Sequence, residues 1–267
     1  MGLVSKDDGS PEEPRFPDDA HRTLASLRDG HFWFKHRRIS IIRAVETCLA
    51  GRKNVRALEL GCGDGEIAAS LSHRWWTVGL ERRVDDLLLA RHRGVARVVA
   101  AEGSAPPFLR CFDLIGLFDV VEHVRDDVGL LRTASAFAVP GGRVLLTVPA
   151  DPRLWSKFDR YAGHYRRYTR GMLIELLKKA GLDAVQIYPL FRMLWPLGRI
   201  HALLHGKDEV TDPGEEYRVA GFWNWVLGRA LSLERRVLGD SQRGIGTSWL
   251  ATGRTPLSAV PVTRPPD

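Results

Sequence analysis

The sequence has few cysteines, no long apolar run and no secretory signal, and each absence excludes a class of protein. Cys48, Cys62 and Cys111 are odd in number and lack C-x-x-C spacing, which argues against a zinc site, an iron–sulfur cluster or a disulfide framework. No apolar run reaches the roughly 18 residues of a membrane-spanning helix, and the acidic, proline-bearing start does not resemble a signal peptide. These absences predict a cytoplasmic protein, with peripheral contact at a membrane left open.

Positive charge is in moderate excess and does not by itself identify a partner. Lys and Arg total 39 among 267 residues and Asp and Glu total 32, so the net charge is +7. A basic chain can bind nucleic acid, anionic lipid or an acidic substrate, but here the basic residues are scattered. The length of 267 residues suits one domain with additions or a domain and a half, and the hydrophobic content of 44% is enough for a sizeable core.

A glycine-rich loop follows the first apolar run, in ALELGCGDGE at residues 57–66. The loop has no Lys followed by Ser or Thr, so it is not a phosphate-binding P-loop. Glu66 occupies the position where a dinucleotide fingerprint needs its third glycine, beside the pyrophosphate. The spacing found is [DE]-x-G-x-G-x-G, formed by Glu59, Gly61, Gly63 and Gly65. Glycines let a ligand approach the backbone closely because they have no Cβ.

Short apolar strands alternate with helical segments along most of the chain. The predicted strands are 55–60, 75–81, 95–102, 112–118, 141–149 and 183–191, with helices at 66–74, 84–92, 122–137 and 170–180. This βαβ alternation predicts an α/β fold with a parallel sheet covered on both faces. Ligands in such sheets bind at the carboxyl ends of the strands, near the point where the strand order reverses.

Acidic residues stand at these predicted strand ends. Glu81 ends the second strand, where a carboxylate can accept hydrogen bonds from both hydroxyls of a ribose. The alternative is a surface carboxylate beside Arg82 and Arg83. The fourth strand leaves the sheet through FDLIGLFDVVEHV at 112–124.

These segments together resemble the class I S-adenosylmethionine (SAM)-dependent methyltransferases, in particular the small-molecule branch that includes the ubiquinone and menaquinone enzymes. The glycine loop resembles motif I, and FDVVEHV resembles the family's fourth-strand exit. HFWFKHRR at 31–38 resembles the lead-in helix, and YAGHYRRYT at 161–169 is similar to a segment of bacterial members. AEGSAPPF at 101–108 resembles D-A-x-x-L-P-F, although Glu replaces Asp and Pro106 replaces Leu.

The resemblance implies a Rossmann-like doubly wound seven-stranded sheet, with the last strand antiparallel at 244–254, and SAM as the cofactor. It also implies where the cofactor is bound. The ribose lies at Glu81 and Arg82, the adenine lies at Glu102, Gly103 and Ser104, and the methionine part lies at Phe118, Asp119 and the glycine loop with Glu59, Gly61, Gly63 and Gly65.

Arg37 is a further candidate for the cofactor site. It lies three residues after Phe34, and therefore on the same face of the predicted lead-in helix. An arginine can hold the carboxylate of SAM with two parallel charge-assisted hydrogen bonds. The alternative is that the aromatic residues and Arg37 only dock this helix on the sheet.

His123 and His164 are the candidate general bases, because histidine exchanges protons near neutral pH. His123 follows the fourth strand, and His164 lies in the long segment after the fifth strand. The alternatives are that His123 packs at a helix start and that the aromatic segment around His164 merely orders itself. A metal held by Asp119, Glu122 and His123 is conceivable, but none is expected.

The chain divides into a disordered tail at 1–20, a helical cap at 21–53, a SAM-binding core at 54–190, a helical insertion at 191–243, the final strand and a tail at 255–267. Two apolar stripes run along the insertion. They comprise Leu190, Leu194, Leu197, Ile200 and Leu204, and then Phe222, Val226, Leu233 and Val237. The insertion is expected to cover the substrate site or form a homodimer face, with an interfacial membrane helix as the alternative.

The expected activity is methyl transfer from SAM to a small-molecule or lipid-like acceptor, on oxygen. An RNA methyltransferase that uses the basic surface and a non-catalytic SAM-fold regulator are the alternatives. No DNA partner is expected, because the fourth strand lacks an N-P-P-Y or D-P-P-Y exit.

Overall fold

A seven-stranded sheet organises the protein. The computed structural model describes residues 28, 30–101, 109–205, 219–239 and 241–257. The strands are β1 (Arg56–Leu60), β2 (Trp76–Glu81), β3 (Arg97–Ala100), β4 (Phe112–Phe118), β5 (Ala138–Pro149), β6 (Asp183–Leu190) and β7 (Ser248–Arg254). Their order is β3-β2-β1-β4-β5-β7-β6. Strands β1 to β5 pair in parallel, and β7 runs antiparallel to β5 and β6, which confirms the predicted fold.

Helices cover both faces of this sheet. They are α1 (Phe32–Leu49), α2 (Glu66–Ser72), α3 (Val84–His92), α4 (Asp127–Phe137), α5 (Lys157–Tyr161), α6 (Arg170–Lys179), α7 (Trp195–His205) and α8 (Gly221–Leu238). On one face α1 and α2 bury Ile41, Val45 and Ile67 against β1, β4 and β5. On the other face α4 and α6 bury Leu131 and Leu173. The fully buried strand β4, FDLIGLF, is apolar except for Asp113, because both faces of the sheet are covered.

The chain after β4 is not the single helix predicted for Glu122–Phe137. Val121–His123 form a 3₁₀ turn, and α4 begins only at Asp127. Asp126 caps α4, because its side chain accepts a hydrogen bond from the Gly129 amide at 2.9 Å. Glu122 and His123 therefore lie on a separate turn at the carboxyl end of β4 rather than in the first turn of a long helix.

Other boundaries also differ from the predicted ones. Helix α1 begins at Phe32, and the predicted tail at 1–20 lies outside the described residues. Thr255, placed in the C-terminal tail, is buried and donates a hydrogen bond to the Val139 carbonyl at 2.8 Å. The segment between β5 and α6 contains α5, whose start is a capping box made by Ser156 and Asp159.

The described part of the insertion between β6 and β7 is mainly helical. It contains a 3₁₀ turn at Arg192–Leu194 and helices α7 and α8, and Pro196 lies in the first turn of α7, where its missing N–H is tolerated. Asn224 fastens α8 to the start of α1, donating to the Gly30 carbonyl at 2.8 Å and accepting from the Phe32 amide at 2.8 Å. In the described residues, no helix is both long and apolar enough to cross a membrane.

Candidate active site

The glycine loop joins β1 to α2 at the point where the strand order reverses, and each glycine has a separate reason to be there. Gly61, Gly63 and Gly65 have φ angles of 69°, 51° and 80°, a region that favours glycine. A Cβ on Gly61 would lie 2.7 Å from Val120 and one on Gly65 2.6 Å from Ala90, whereas Gly63 faces open space. The loop is therefore packed at both ends and open in the middle, where a ligand can approach the backbone.

Glu81 stands beside this open loop, held in place by three backbone amides. One carboxylate oxygen accepts a hydrogen bond from the Gly63 amide at 3.1 Å, and the other accepts from Arg82 and Arg83 at 2.7 and 3.1 Å. The side chain of Arg82 is exposed, so Arg82 contributes to the site through its backbone amide. The predicted position of Glu81 at the end of β2 is thus realised with a fixed carboxylate.

Arg37 is buried where α1 meets the end of β4 and the start of α2. Its Nε lies 2.7 Å from Oδ2 of Asp119, and its Nη2 donates to the Phe118 carbonyl at 3.1 Å. Its Nη1 lies 3.8 Å from Glu66. Asp119 has a positive φ of 59° and also accepts from the Thr147 hydroxyl at 2.8 Å. Arg37 thus links α1, the end of β4 and the start of α2. This is the arrangement expected if Arg37 docks the lead-in helix on the sheet.

Several carboxylates share this one buried guanidinium. Burial raises the pKa of Glu59 well above its ordinary value, and burial likewise raises the pKa of Glu66, although Arg37 opposes both shifts. Burial opposes the charge of Arg37, but Asp119, Glu66 and Glu59 raise its pKa. One oxygen of Glu59 has no hydrogen-bond partner in the described part of the chain, so this side of the loop suits a cationic group.

A second cluster lies at the 3₁₀ turn after β4. Glu122 is buried, and burial with the neighbouring Asp119 raises its pKa well above the ordinary value. The imidazoles of His123 and His164 meet edge to face with ring centres 4.7 Å apart. The Tyr165 amide donates to the Glu122 carbonyl at 2.8 Å. The backbone thus brings together two histidines that are 41 residues apart in sequence.

Asp159 fixes the orientation of His164. It is fully buried, and one oxygen lies 2.8 Å from Nδ1 of His164 while both accept hydrogen bonds from Nε of Arg167. Burial raises the pKa of Asp159, but the His164 hydrogen bond and the Arg167 guanidinium outweigh it and lower that pKa to about 2. An ionised carboxylate only accepts hydrogen bonds, so Nδ1 of His164 carries the proton. In neutral His164 the lone pair is therefore on Nε2.

The same cluster has the composition of a metal site. Glu122, His123 and His164 each offer one ligand atom, and these atoms lie within 4.8 Å of one another. The metal alternative considered from sequence contained Asp119 instead of His164. In the structure Asp119 is engaged by Arg37 and Thr147.

Sequence reasoning missed Asp159, Arg167 and Thr147. The pattern Ser156-x-x-Asp159 indicates a capping box, but not that the same carboxylate also orients His164. Glu102, Gly103 and Ser104, predicted to hold the adenine, lie outside the described residues.

A separate groove of about 810 Å³, open to solvent, lies between α1, β6 and α8. Arg43, Tyr188 and Arg235 are among its lining residues, and none of the strand-end residues described above lines it. The groove is therefore distinct from the candidate active site.

Comparison with known proteins agrees with this geometry. A family model described as a methyltransferase domain matches residues 33–187, a range that contains Arg37, the glycine loop and His164. The ubiquinone biosynthesis O-methyltransferase of Pseudomonas aeruginosa is 31% identical over 116 residues, which cover 40% of this chain and 49% of that protein. The chain thus spans about half the length of this curated relative.

Two further proteins extend the comparison. A probable S-adenosylmethionine-dependent methyltransferase of Mycolicibacterium smegmatis is 25% identical over 185 residues, which cover 62% of this chain and 65% of that protein. The structure of a Thermotoga maritima SAM-dependent methyltransferase, described as a possible histamine N-methyltransferase, superposes with a TM-score of 0.56. It is 17% identical and covers 88% of this chain and 96% of its own. At that identity the likeness shows the fold alone.

Replacing Arg37 should destabilise the protein. We expect Arg37→Ala to lower the free energy of unfolding by about 3–5 kcal/mol, because it leaves buried carboxylates without their cation. Denaturant unfolding measures this loss. Arg38→Ala is the matched control, since its side chain is 38% exposed and 3.8 Å from Glu66. An unchanged unfolding free energy in Arg37→Ala would contradict the docking role.

Replacing Glu122 should stabilise the protein at alkaline pH. A carboxyl group whose pKa is raised in the folded state binds its proton more tightly there, so its contribution to stability falls as pH rises from about 4.5 through the folded pKa. We expect Glu122→Gln to melt at a higher temperature than the parent at pH 8, with the gap closing towards pH 4.5. A Glu122→Gln variant that melts below the parent at pH 8, with the deficit closing in acid, would show that Glu122 is ionised and paired.

Proposed function

The chain belongs to the class I SAM-dependent methyltransferases, since the methyltransferase domain spans more than half of it, and we propose that it methylates a hydroxyl group of a small or lipid-like acceptor. The observation that carries this proposal is the Asp159–His164 pair beside Glu122, at the edge of the sheet next to the glycine loop. A base positioned in this way is needed when the acceptor is a neutral hydroxyl.

The residues present fit SAM rather than a dinucleotide. Glu81 offers a fixed carboxylate for two ribose hydroxyls, and the open side of Gly63 leaves room for the amino acid tail. The unpartnered oxygen of Glu59 suits the ammonium group of that tail. Glu66, buried at the start of α2, would place a carboxylate where a pyrophosphate needs a helix N-terminus.

Arg37 has two roles in this proposal. In the described structure its guanidinium is stabilised by Asp119, Glu66 and Glu59 around the loop. The carboxylate of the SAM tail would join these anions at the same guanidinium, through a charge-assisted hydrogen bond. The docking and cofactor roles proposed from sequence are therefore compatible.

The catalytic step follows from how the residues are held. When bound, SAM supplies a methyl group on a sulfonium whose leaving group is already activated. Positioning the acceptor hydroxyl beside the bound cofactor would lower the barrier by about 7–11 kcal/mol. Nε2 of His164 would take the proton of that hydroxyl as its oxygen accepts the methyl group. Asp159, with its pKa of about 2, stays ionised and stabilises the imidazolium.

The acceptor class is inferred from the surroundings of His164. The ring of Phe158 lies edge to face with that of His164, with ring centres 6.3 Å apart. An aromatic side chain beside the proposed base suits an apolar acceptor. The Pseudomonas aeruginosa relative is an O-methyltransferase, which supports oxygen as the methylated atom.

The function can be tested with deuteriomethyl-labelled SAM. We expect mass spectrometry of incubated cell extract to show the label in a small or lipid-soluble product, at an initial rate that falls about 10²–10⁴-fold in His164→Gln. His123→Gln, which leaves the Asp159–His164 pair intact, should lose less than about tenfold.

Three outcomes would contradict the assignment. A larger loss in His123→Gln would place the base there. Loss of activity with a chelator, restored by Zn²⁺ or Mn²⁺, would make His164 a metal ligand instead. Label found in RNA would show that the acceptor is RNA and not a small or lipid-like molecule.

A further inference from the structure

Helix α8 presents an outward face that is apolar and cationic. Phe222, Trp225, Leu233 and Val237 are 67%, 63%, 57% and 70% exposed. Their spacing of three, eight and four residues places them on one side of the helix. Arg229 and Arg236 are exposed on the same side, and the Arg229 guanidinium lies 5.9 Å from the centre of the Trp225 ring.

The opposite side of α8 is already used by the fold. Leu231 packs with Phe32 and Phe191 in a small core. Glu234 is buried and accepts hydrogen bonds from the amides of Arg192 and Met193 at 3.0 and 2.9 Å. The outward apolar side chains therefore do not belong to this core, and α8 is rigidly mounted with that face turned away from the sheet.

Helix α7 repeats the pattern. Leu197, Ile200 and Leu204 are spaced three and four residues apart, and each is more than half exposed, as is the neighbouring Leu203. The sequence of α7 contains no acidic residue. Gly198, on its inner side, would carry a Cβ 3.3 Å from Leu154, so this helix also turns its apolar face outward.

We propose that the outward faces of α7 and α8 bind the surface of a membrane that contains anionic lipid. Single exposed apolar residues are ordinary, but a stripe of them on an amphipathic helix marks an interaction site. Aromatic and aliphatic side chains interleaved with arginine, and little acidic charge, are the composition of an interfacial helix. The proposal goes beyond the proposed function, because it concerns where the enzyme works and not what it methylates.

The charge on α8 favours lipid over a second copy of the chain. The single acidic residue of α8, Glu234, is buried against the turn after β6. A symmetric dimer through this face would bury Arg229 and Arg236 from both copies with no carboxylate from α8 to pair with them, and unpaired buried charge is costly. Anionic headgroups supply that pairing, and the acyl region accepts Phe222 and Leu233.

The experiment is flotation of the full-length protein with vesicles. We expect binding to vesicles of phosphatidylcholine with about 30% phosphatidylglycerol, little binding to phosphatidylcholine alone, and weakening in high salt. Leu233→Ser and the double variant Arg229→Gln/Arg236→Gln should each bind at least about tenfold less. Leu88→Ser on α3 is the matched control, because Leu88 is 62% exposed and should leave binding unchanged.

Three results would overturn the proposal. These are no difference between the two vesicle types, binding that Leu233→Ser leaves intact, and a concentration-dependent dimer that Leu233→Ser dissociates. Calorimetry with SAM distinguishes failure of the membrane proposal from failure of the proposed function. Leu233→Ser should bind SAM as the parent does, whatever its behaviour with vesicles.

Discussion

The ion pair between the buried Arg37 and the partly buried Asp119 is the constraint on which the site depends. It joins the first helix to the end of β4, and the same guanidinium faces Glu66 at the start of α2. Asp119 adopts a left-handed backbone conformation there, which turns the chain out of the sheet and into the 3₁₀ turn that carries Glu122 and His123. Without a cation at this point, several carboxylates would be desolvated together.

Much of the cofactor side of this arrangement could be predicted from the sequence, because its signals are local. The glycine spacing, the acidic residue at the end of β2 and the alternation of strands and helices each act within a few residues. The parallel sheet then brings Gly63 and Glu81 together without further information. The 3₁₀ turn at Val121–His123 is not predictable in this way, because helical periodicity does not reveal that the turn ends at Val124 and that Asp126 caps a new helix.

The acceptor side could be predicted only in part, because it depends on contacts between distant segments. His123 and His164 were both recognised as proton-transfer candidates, but nothing in their spacing indicates that their rings meet. The carboxylate that orients His164 belongs to Asp159, and the sequence around Asp159 indicates only a helix cap. Its burial, and its bonds to His164 and Arg167, arise only when the segment after β5 folds onto the turn after β4.

Charge is distributed differently on the two sides of the molecule. Carboxylates concentrate around the open glycine loop, where the proposed function places the sulfonium and ammonium groups of SAM, whereas the outward face of α8 has arginines and no exposed acid. Helix α8 packs against α1, the helix that carries Arg37. The same pair of helices therefore supports the proposed cofactor site and the proposed membrane face.

Calorimetry with S-adenosylhomocysteine tests the central claim, that the cofactor lies on the glycine loop with its ribose at Glu81. Glu81→Ala should lose about 1.5–3 kcal/mol of binding free energy, the range for hydrogen bonds to a charged group. Asp85→Ala, an exposed carboxylate in the first turn of α3, should bind as the parent does, and NAD should not compete. Unchanged affinity in Glu81→Ala, or displacement by NAD, would contradict the account.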